Sequence, residues 1–212
     1  KIWRDARLKG AGIKRATTLV TAAEHSIGNT EAPRSARKEI RNLLEDYEGY
    51  KKRMDELMEE IEKTLSEIPY IDKLMEINGI GIKTVSCFIA EVGDIGRFDN
   101  PKQVQKLAGY AIVADSSGKH NGESRISHRG RKRLRYALYE SAISVIGKNK
   151  EFKEIHSYYR TREKNPLKKM QSVIAVACKL IRIFYMILTK GVDNDGQKML
   201  NDIVRPEIQP AA

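Results

Sequence analysis

The chain has 212 residues, is 41% hydrophobic and 32% charged, and carries a formal net charge of +11. That composition is globular and helix-friendly and excludes a disordered chain. The cationic surplus points to a polyanionic partner, with nucleic acid ahead of an acidic membrane surface. Cys87 and Cys178 each sit in an apolar run, with no CxxC and no paired histidines. They therefore exclude a zinc site and read as reduced core residues of a cytoplasmic protein.

The chain opens KIWRDA, without methionine or a signal peptide, and reads as a fragment. In the first block Ile13, Ala16, Val20, Ala23 and Ile27 recur at helical spacing, and Gly28 is placed to end the helix. A second helix runs from about Pro33, which suits a first turn, to Ile68, where Pro69 stops it. Along it Ile40, Leu43, Tyr47, Tyr50, Met54, Leu57, Ile61, Thr64 and Ile68 alternate at spacings of three and four. That is a heptad seam, read as a coiled coil that pairs protomers or as a long helix packed on its own domain.

Next comes INGIGIKTV, where an apolar helix end meets Gly79 and Gly81 before a further helix. The earlier LKGAGIKRATTLV shares its Gly-x-Gly-Ile-Lys core, as two uses of one turn. In NPKQVQKLAG, Asn100 is a natural cap, Pro101 the first helical residue and Gly109 a stop. Helices are then expected over Arg131–Ile146, Glu151–Arg162 and Leu167–Thr189, the last containing the most apolar stretch of the chain. That stretch carries Lys179 and Arg182 and reads as a buried helix rather than a membrane span. Strand signals are scarce, and the polar tail beyond Gly191 is expected to be loosely ordered. The fold class is therefore all-α.

Two stretches carry chemistry. The Gly79/Gly81 turn has the form of a helix-hairpin-helix, which lets backbone and the N–H groups of the following helix approach a phosphate, with Lys83 adding charge. An ordinary helix–helix turn is the competing reading. Downstream, VADSSGKHNGESRISHRGRKRLR gathers Lys119, Arg125, Arg129, Arg131, Lys132, Arg133 and Arg135 with Glu123 as the only acid from Lys119 onward. Arg131, Arg135 and Tyr139, four apart, would line one helical face, and a phosphate suits both the arginines and the helix end. Ser116-Ser117-Gly118-Lys119 lacks the order of a Walker loop. It reads as a turn from composition, or as a nucleophile whose charge development the arginines would balance. His120, His128 and His156 have no recognisable catalytic spacing.

The stretch KLAGYAIVADSSGKHNGESRISHRGRKRLRYALYESA, with the glycine hairpin before it and NPLKKMQSVIAVACKLIRIFYMILTKG after it, resembles the C-terminal domain of the Piv/MooV-like insertion-sequence transposases, the "IS one-ten" group of bridge-RNA-guided recombinases. The resemblance covers about Lys1 to Gly191 and implies a serine nucleophile at Ser117 or, less favoured, Ser116. It places the family's loop lysine on Lys119, its basic segment on Ile126-Ser127-His128-Arg129-Gly130 and its Leu-Arg pair on Leu134 and Arg135; Arg125 and Arg131 join the expected phosphate contacts from the local charge. His128 stands where the family has lysine, so a contact there becomes pH-dependent or is lost. The resemblance also implies a RuvC-like domain whose acidic tetrad binds Mg2+, here expected to precede the chain, so that the chain has no metal or other cofactor of its own. Partners implied are DNA, a noncoding bridge RNA and a homo-oligomer, a dimer through the coiled coil that reaches a tetramer on DNA, without a membrane, in the cytoplasm of a prokaryote.

The resulting expectation is four parts. Residues 1–30 form the end of the preceding domain or a linker, 31–69 the coiled coil, 70–191 the serine-bearing domain and 192–212 the tail. The function expected is a DNA transposase fragment that cleaves and transfers strands through a covalent phosphoserine and is inactive alone. The rivals are a non-catalytic helix-hairpin-helix DNA-binding and dimerisation module, and a structural dimerisation piece.

Overall fold

A computed structural model of the chain describes residues 11–26, 33–113 and 125–201, together with the backbone of 116–117 and 120–121. The chain divides into two compact units, Lys1–Leu57 and Met58–Ala212. In the first unit, α1 spans Ala11–Glu24, and Ile27 and Gly28 lie outside the described residues. The large apolar side chains Ile13, Leu19 and Val20 of α1 are exposed. The long helix α2 spans Pro33–Ser66 and so runs on past Leu57. Its sequence supports this length: strong helix formers fill it, Pro33 opens it where a missing N–H costs nothing, and Pro69 follows its end.

The second unit holds the hydrophobic core. Its elements are α3 (Ile71–Met75), α4 (Ile82–Val92), a 3-10 turn (Ile95–Arg97), α5 (Pro101–Leu107), four short strands, α6 (Lys132–Lys148), α7 (Lys150–Thr161), α8 (Lys169–Lys190) and α9 (Gly196–Asn201). The fold is all-α in class. By length and composition α8 could cross a membrane, but it is the central core helix, with Val176, Ala177, Leu180, Ile181 and Phe184 fully buried. Around it pack α3, α5, α6 and α7, and α4 packs on α6. Phe88 of α4 meets Phe184 of α8 edge to face, centroids 5.0 Å apart. Capping follows the sequence: the Asn100 side chain accepts from the Lys102 N–H at 3.0 Å, Pro101 opens α5, and Gly109 just after it has φ +77°.

Two expectations needed correction. The stretch 112–126, read as a basic loop with a serine turn, contains short antiparallel strands. β1 (Ile112–Val113) pairs with β4 (Arg125–Ile126), placing Ile112 opposite Ile126, and β2 (Ser116–Ser117) pairs with β3 (His120–Asn121). Beyond Gly191, where loose order was expected, α9 buries Met199 and Leu200. Those two apolar residues anchor α9, and Lys179 donates to the Met199 carbonyl at 3.1 Å; residues 202–212 lie outside the described residues.

Candidate functional site

The base of the serine hairpin is built by backbone hydrogen bonds. The Ser127 N–H donates to the Ala111 carbonyl at 2.7 Å, the His128 N–H to Gly109 at 3.1 Å, and the Arg131 N–H to Leu107 at 2.7 Å. Gly130 is what permits this closeness. A Cβ there would collide with the Leu107 carbonyl oxygen and lie 2.6 Å from the Gly109 nitrogen. Tyr110 is buried beneath, its hydroxyl donating to the Arg135 carbonyl at 2.8 Å, and burial pushes its phenol well above the ordinary range. It is therefore a permanent donor at any physiological pH.

The hairpin's register places His120 opposite Ser117 and Asn121 opposite Ser116. Gly118 and Lys119, between the paired positions, lie outside the described residues. A serine and a histidine three apart across Gly-Lys give a two-residue hairpin signal, which sequence reading passed over by weighing the serines as a turn. Arg125 sits in β4 opposite Val113 and is exposed.

The cations at the start of α6 fall into two groups. Arg131 and Arg135 hold the protein together. Arg131 caps α6 without a side-chain cap bond, and its Nη1 donates to the Glu91 carbonyl at 2.5 Å and lies 3.7 Å from the Glu91 carboxylate. Arg135 Nη1 donates to the Ala108 carbonyl at 3.2 Å and the His128 carbonyl at 3.0 Å. Tyr139, expected on the same face, donates to Met170 Sδ at 3.6 Å. So the three residues spaced by four do not form a free cationic stripe; their tertiary partners claim them. Arg129, Lys132 and Arg133 are exposed and have no ion pair among the described residues, and the first turn of α6 holds no acid. One turn further on, Tyr136 is 64% exposed. His128 is exposed with φ +52°, a left-handed backbone that histidine tolerates better than a β-branched residue.

The glycine hairpin is clamped to the other end of α6. Gly79 has φ +100°, and a Cβ on it would lie 2.9 Å from Val145 Cα and 3.1 Å from the Ser144 carbonyl oxygen. Ser144 Oγ donates to the Gly79 carbonyl at 2.8 Å, and Asn78 Nδ2 to the Lys148 carbonyl at 2.9 Å. Gly79 is thus glycine for packing. Gly81 differs: it is exposed, extended at φ −133°, and a Cβ there would meet nothing within 4 Å. Lys83 is exposed beside it. Because Gly79 abuts Val145, the glycine turn stands about 20 Å along α6 from Lys132, at 1.5 Å per residue. The two proposed sets of phosphate contacts therefore occupy opposite ends of one helix and cannot share a phosphate.

Cys87 and Cys178 are free thiols. Burial pushes Cys87 up, reinforced by Glu91 and opposed by Arg133, and burial pushes Cys178 up to about 11, so both are poor nucleophiles. Among the described residues no group of three or more His, Cys, Asp or Glu could hold a metal ion. A 490 Å³ cleft on α8, reaching Asp193, Asp195 and Lys198, contains no candidate residue.

The helical unit has a glycine hairpin at one end of α6 and, at the other, exposed cations without an ion pair among the described residues next to the base of the serine hairpin, an arrangement suited to a phosphate backbone. Residues 71–159 match the family described as transposase IS116/IS110/IS902, and that stretch contains both hairpins and the cationic end of α6. Over 136 residues, 63% of the chain, it is 29% identical to "Putative transposase y4rJ" of Sinorhizobium fredii (strain NBRC 101917 / NGR234), covering 34% of that protein. Both findings are likenesses to transposases, the first over residues 71–159 and the second over 136 residues. The chain spans about a third of the length of the curated relative it matches.

Proposed function

We propose that the chain binds DNA and supplies the serine nucleophile of a transposase, Ser117 in preference to Ser116. The observation that carries this reading is the family match over residues 71–159, which takes in the serine hairpin and the unpaired cations Arg129, Lys132 and Arg133. In the proposed step the serine Oγ attacks a backbone phosphorus as its proton leaves for a neighbouring base. The new O–P bond replaces the bond to a deoxyribose oxygen, which departs as a hydroxyl after gaining a proton. The phosphodiester becomes a phosphoserine diester of similar energy, so the freed or another deoxyribose hydroxyl can reverse the step on a new strand without ATP. Cations near the phosphoryl oxygens offset the charge that develops there. Lys119, Arg125, His128, Arg129, Lys132 and Arg133 are the proposed phosphate contacts, with Gly81 and Lys83 holding the same nucleic acid further along. Arg131, Arg135 and Gly79 support the site's geometry.

The proposal extends to a Mg2+-binding acidic domain outside this chain, a bridge RNA that names the target, and copies paired through α2, with this chain alone inactive. The non-catalytic reading, a DNA clamp built on the glycine hairpin, draws on the open position of Gly81. Ser117→Ala in the full-length protein separates the two. A nucleophile's removal abolishes the covalent protein–DNA adduct while affinity persists; a clamp retains full activity. Ser116→Ala in parallel fixes which serine acts.

A further inference from the structure

On α2, Ile40, Leu43, Tyr47, Tyr50, Met54 and Leu57 alternate at spacings of three and four, and each is more than half exposed. A stripe so regular fits one occupant best, a helix of the same period. The charges along α2 come in blocks. Residues 34–41 carry four cations and one acid, 45–48 three acids, 51–53 three cations, and 55–62 five acids and no cation. The order is plus, minus, plus, minus, and reversing it gives its complement.

We propose that α2 pairs with α2 of a second copy of this chain in the antiparallel sense, about a twofold axis between Glu48 and Gly49. This rests on the reading that α2 pairs copies and adds its direction and register. With that axis every seam layer matches apolar to apolar: Ile40 with Leu57 of the second copy, Leu43 with its Met54, and Tyr47 with its Tyr50. The basic block 34–41 then lies along the acidic 55–62, and the acidic 45–48 along the basic 51–53. Beside the seam, Asp46 faces Arg53 of the second copy, and Arg53 already lies over the Tyr50 ring at 5.1 Å. One like-charged approach, Glu39 to Glu60, opposes this. A parallel pair in register would set every block against its own sign along the whole helix. It would also retain one good flanking pair, Asp46 with Lys51, so the field of the blocks decides the direction. In the antiparallel pair the two Ser66 ends point away from each other, roughly 50 Å apart at 1.5 Å per residue.

The test uses the whole chain with a nitroxide attached at Arg34→Cys or at Glu48→Cys, both exposed positions, and the unsubstituted chain as the background for Cys87 and Cys178. The antiparallel pair predicts an axial separation of about 45 Å at position 34 and only a lateral one at position 48. Light scattering reports mass on the same samples. A dimer with the long distance at 34 and the short one at 48 supports the proposal. A dimer with short and similar distances at both positions, or with any other pattern, overturns the direction alone. A monomer overturns the pairing itself and leaves the serine chemistry to its own test.

Discussion

Gly79→Ala isolates what the glycine hairpin is for. Two costs arise in the structure. At φ +100° an L-residue is disfavoured by about 1–2 kcal/mol. The added methyl would stand 2.9 Å from Val145 Cα and 3.1 Å from Val145 N, which are backbone atoms of α6 and cannot swing aside, and such overpacking costs roughly 1–3 kcal/mol. Loss of conformational freedom in the unfolded chain returns about 0.4–1 kcal/mol. The net is a destabilisation of about 3 kcal/mol, or roughly 6–12 °C in Tm for a unit of this size. Gly81→Ala is the internal control. Its Cβ would meet nothing and its backbone is extended, so a small capping loss and the entropy gain cancel to within about 0.5 kcal/mol. Thermal and urea unfolding measure both. Equal stability of the two variants would refute the packing reading of Gly79. DNA affinity is read on Gly81→Ala, the variant that stays folded: a loss there, at unchanged stability, assigns the turn to phosphate contact.

The two groups of α6 cations separate in the same manner. Arg135→Ala removes two charged hydrogen bonds to carbonyls and costs about 2–3 kcal/mol of stability, with the salt dependence of DNA binding little changed in the folded fraction. Arg129→Ala and Arg133→Ala stay within about 0.5 kcal/mol of the parent, and each lowers the slope of log affinity against log salt by about 0.9 on duplex DNA if it contacts one phosphate. His156 predicts a pH effect. Its Nδ1 lies 2.7 Å from the Oγ of the fully buried Ser172, and desolvation, then Arg160, then Lys169 hold its pKa below the ordinary 6.5. Between the folded and unfolded pKa the unfolded chain binds more protons, so this contribution is complete above about 6.5 and is lost as pH falls toward the folded value. Tm measured from pH 8 to 5 falls more in the parent than in His156→Gln; parallel curves would remove His156 from the account.

The helical skeleton was readable because its signals are local. Pro33, Asn100-Pro101 and Gly109 mark helix boundaries through their own backbone requirements, and α6, α7 and α8 begin or end within two residues of where their apolar periodicity places them. The strands were hidden because each is only two residues long, too short for alternation to register, and because Ser-Ser-Gly reads as a turn whatever flanks it. The fate of the arginines was hidden for another reason. Arg131 and Arg135 share a helical spacing, yet what claims them is Glu91, forty residues away in sequence, and carbonyls that the hairpin base brings within reach only after folding.

That division bears on how a basic segment can serve both fold and chemistry. A cation that neutralises a partner inside the protein contributes little attraction to a phosphate, because its field is already compensated and its donors are occupied. Arg131 lies in that group through Glu91, whereas Arg135 keeps its charge but commits Nη1 to carbonyls; the carbonyls the two gather are those of α4, the end of α5 and the hairpin base, the backbone from which the serine strands start. Arg129, Lys132 and Arg133 have no ion pair among the described residues, and the same clamp holds them at one end of α6. On the proposed serine chemistry the second set depends on the first: without a fixed hairpin base, three mobile side chains would attract a phosphate yet hold it at no defined distance from a serine.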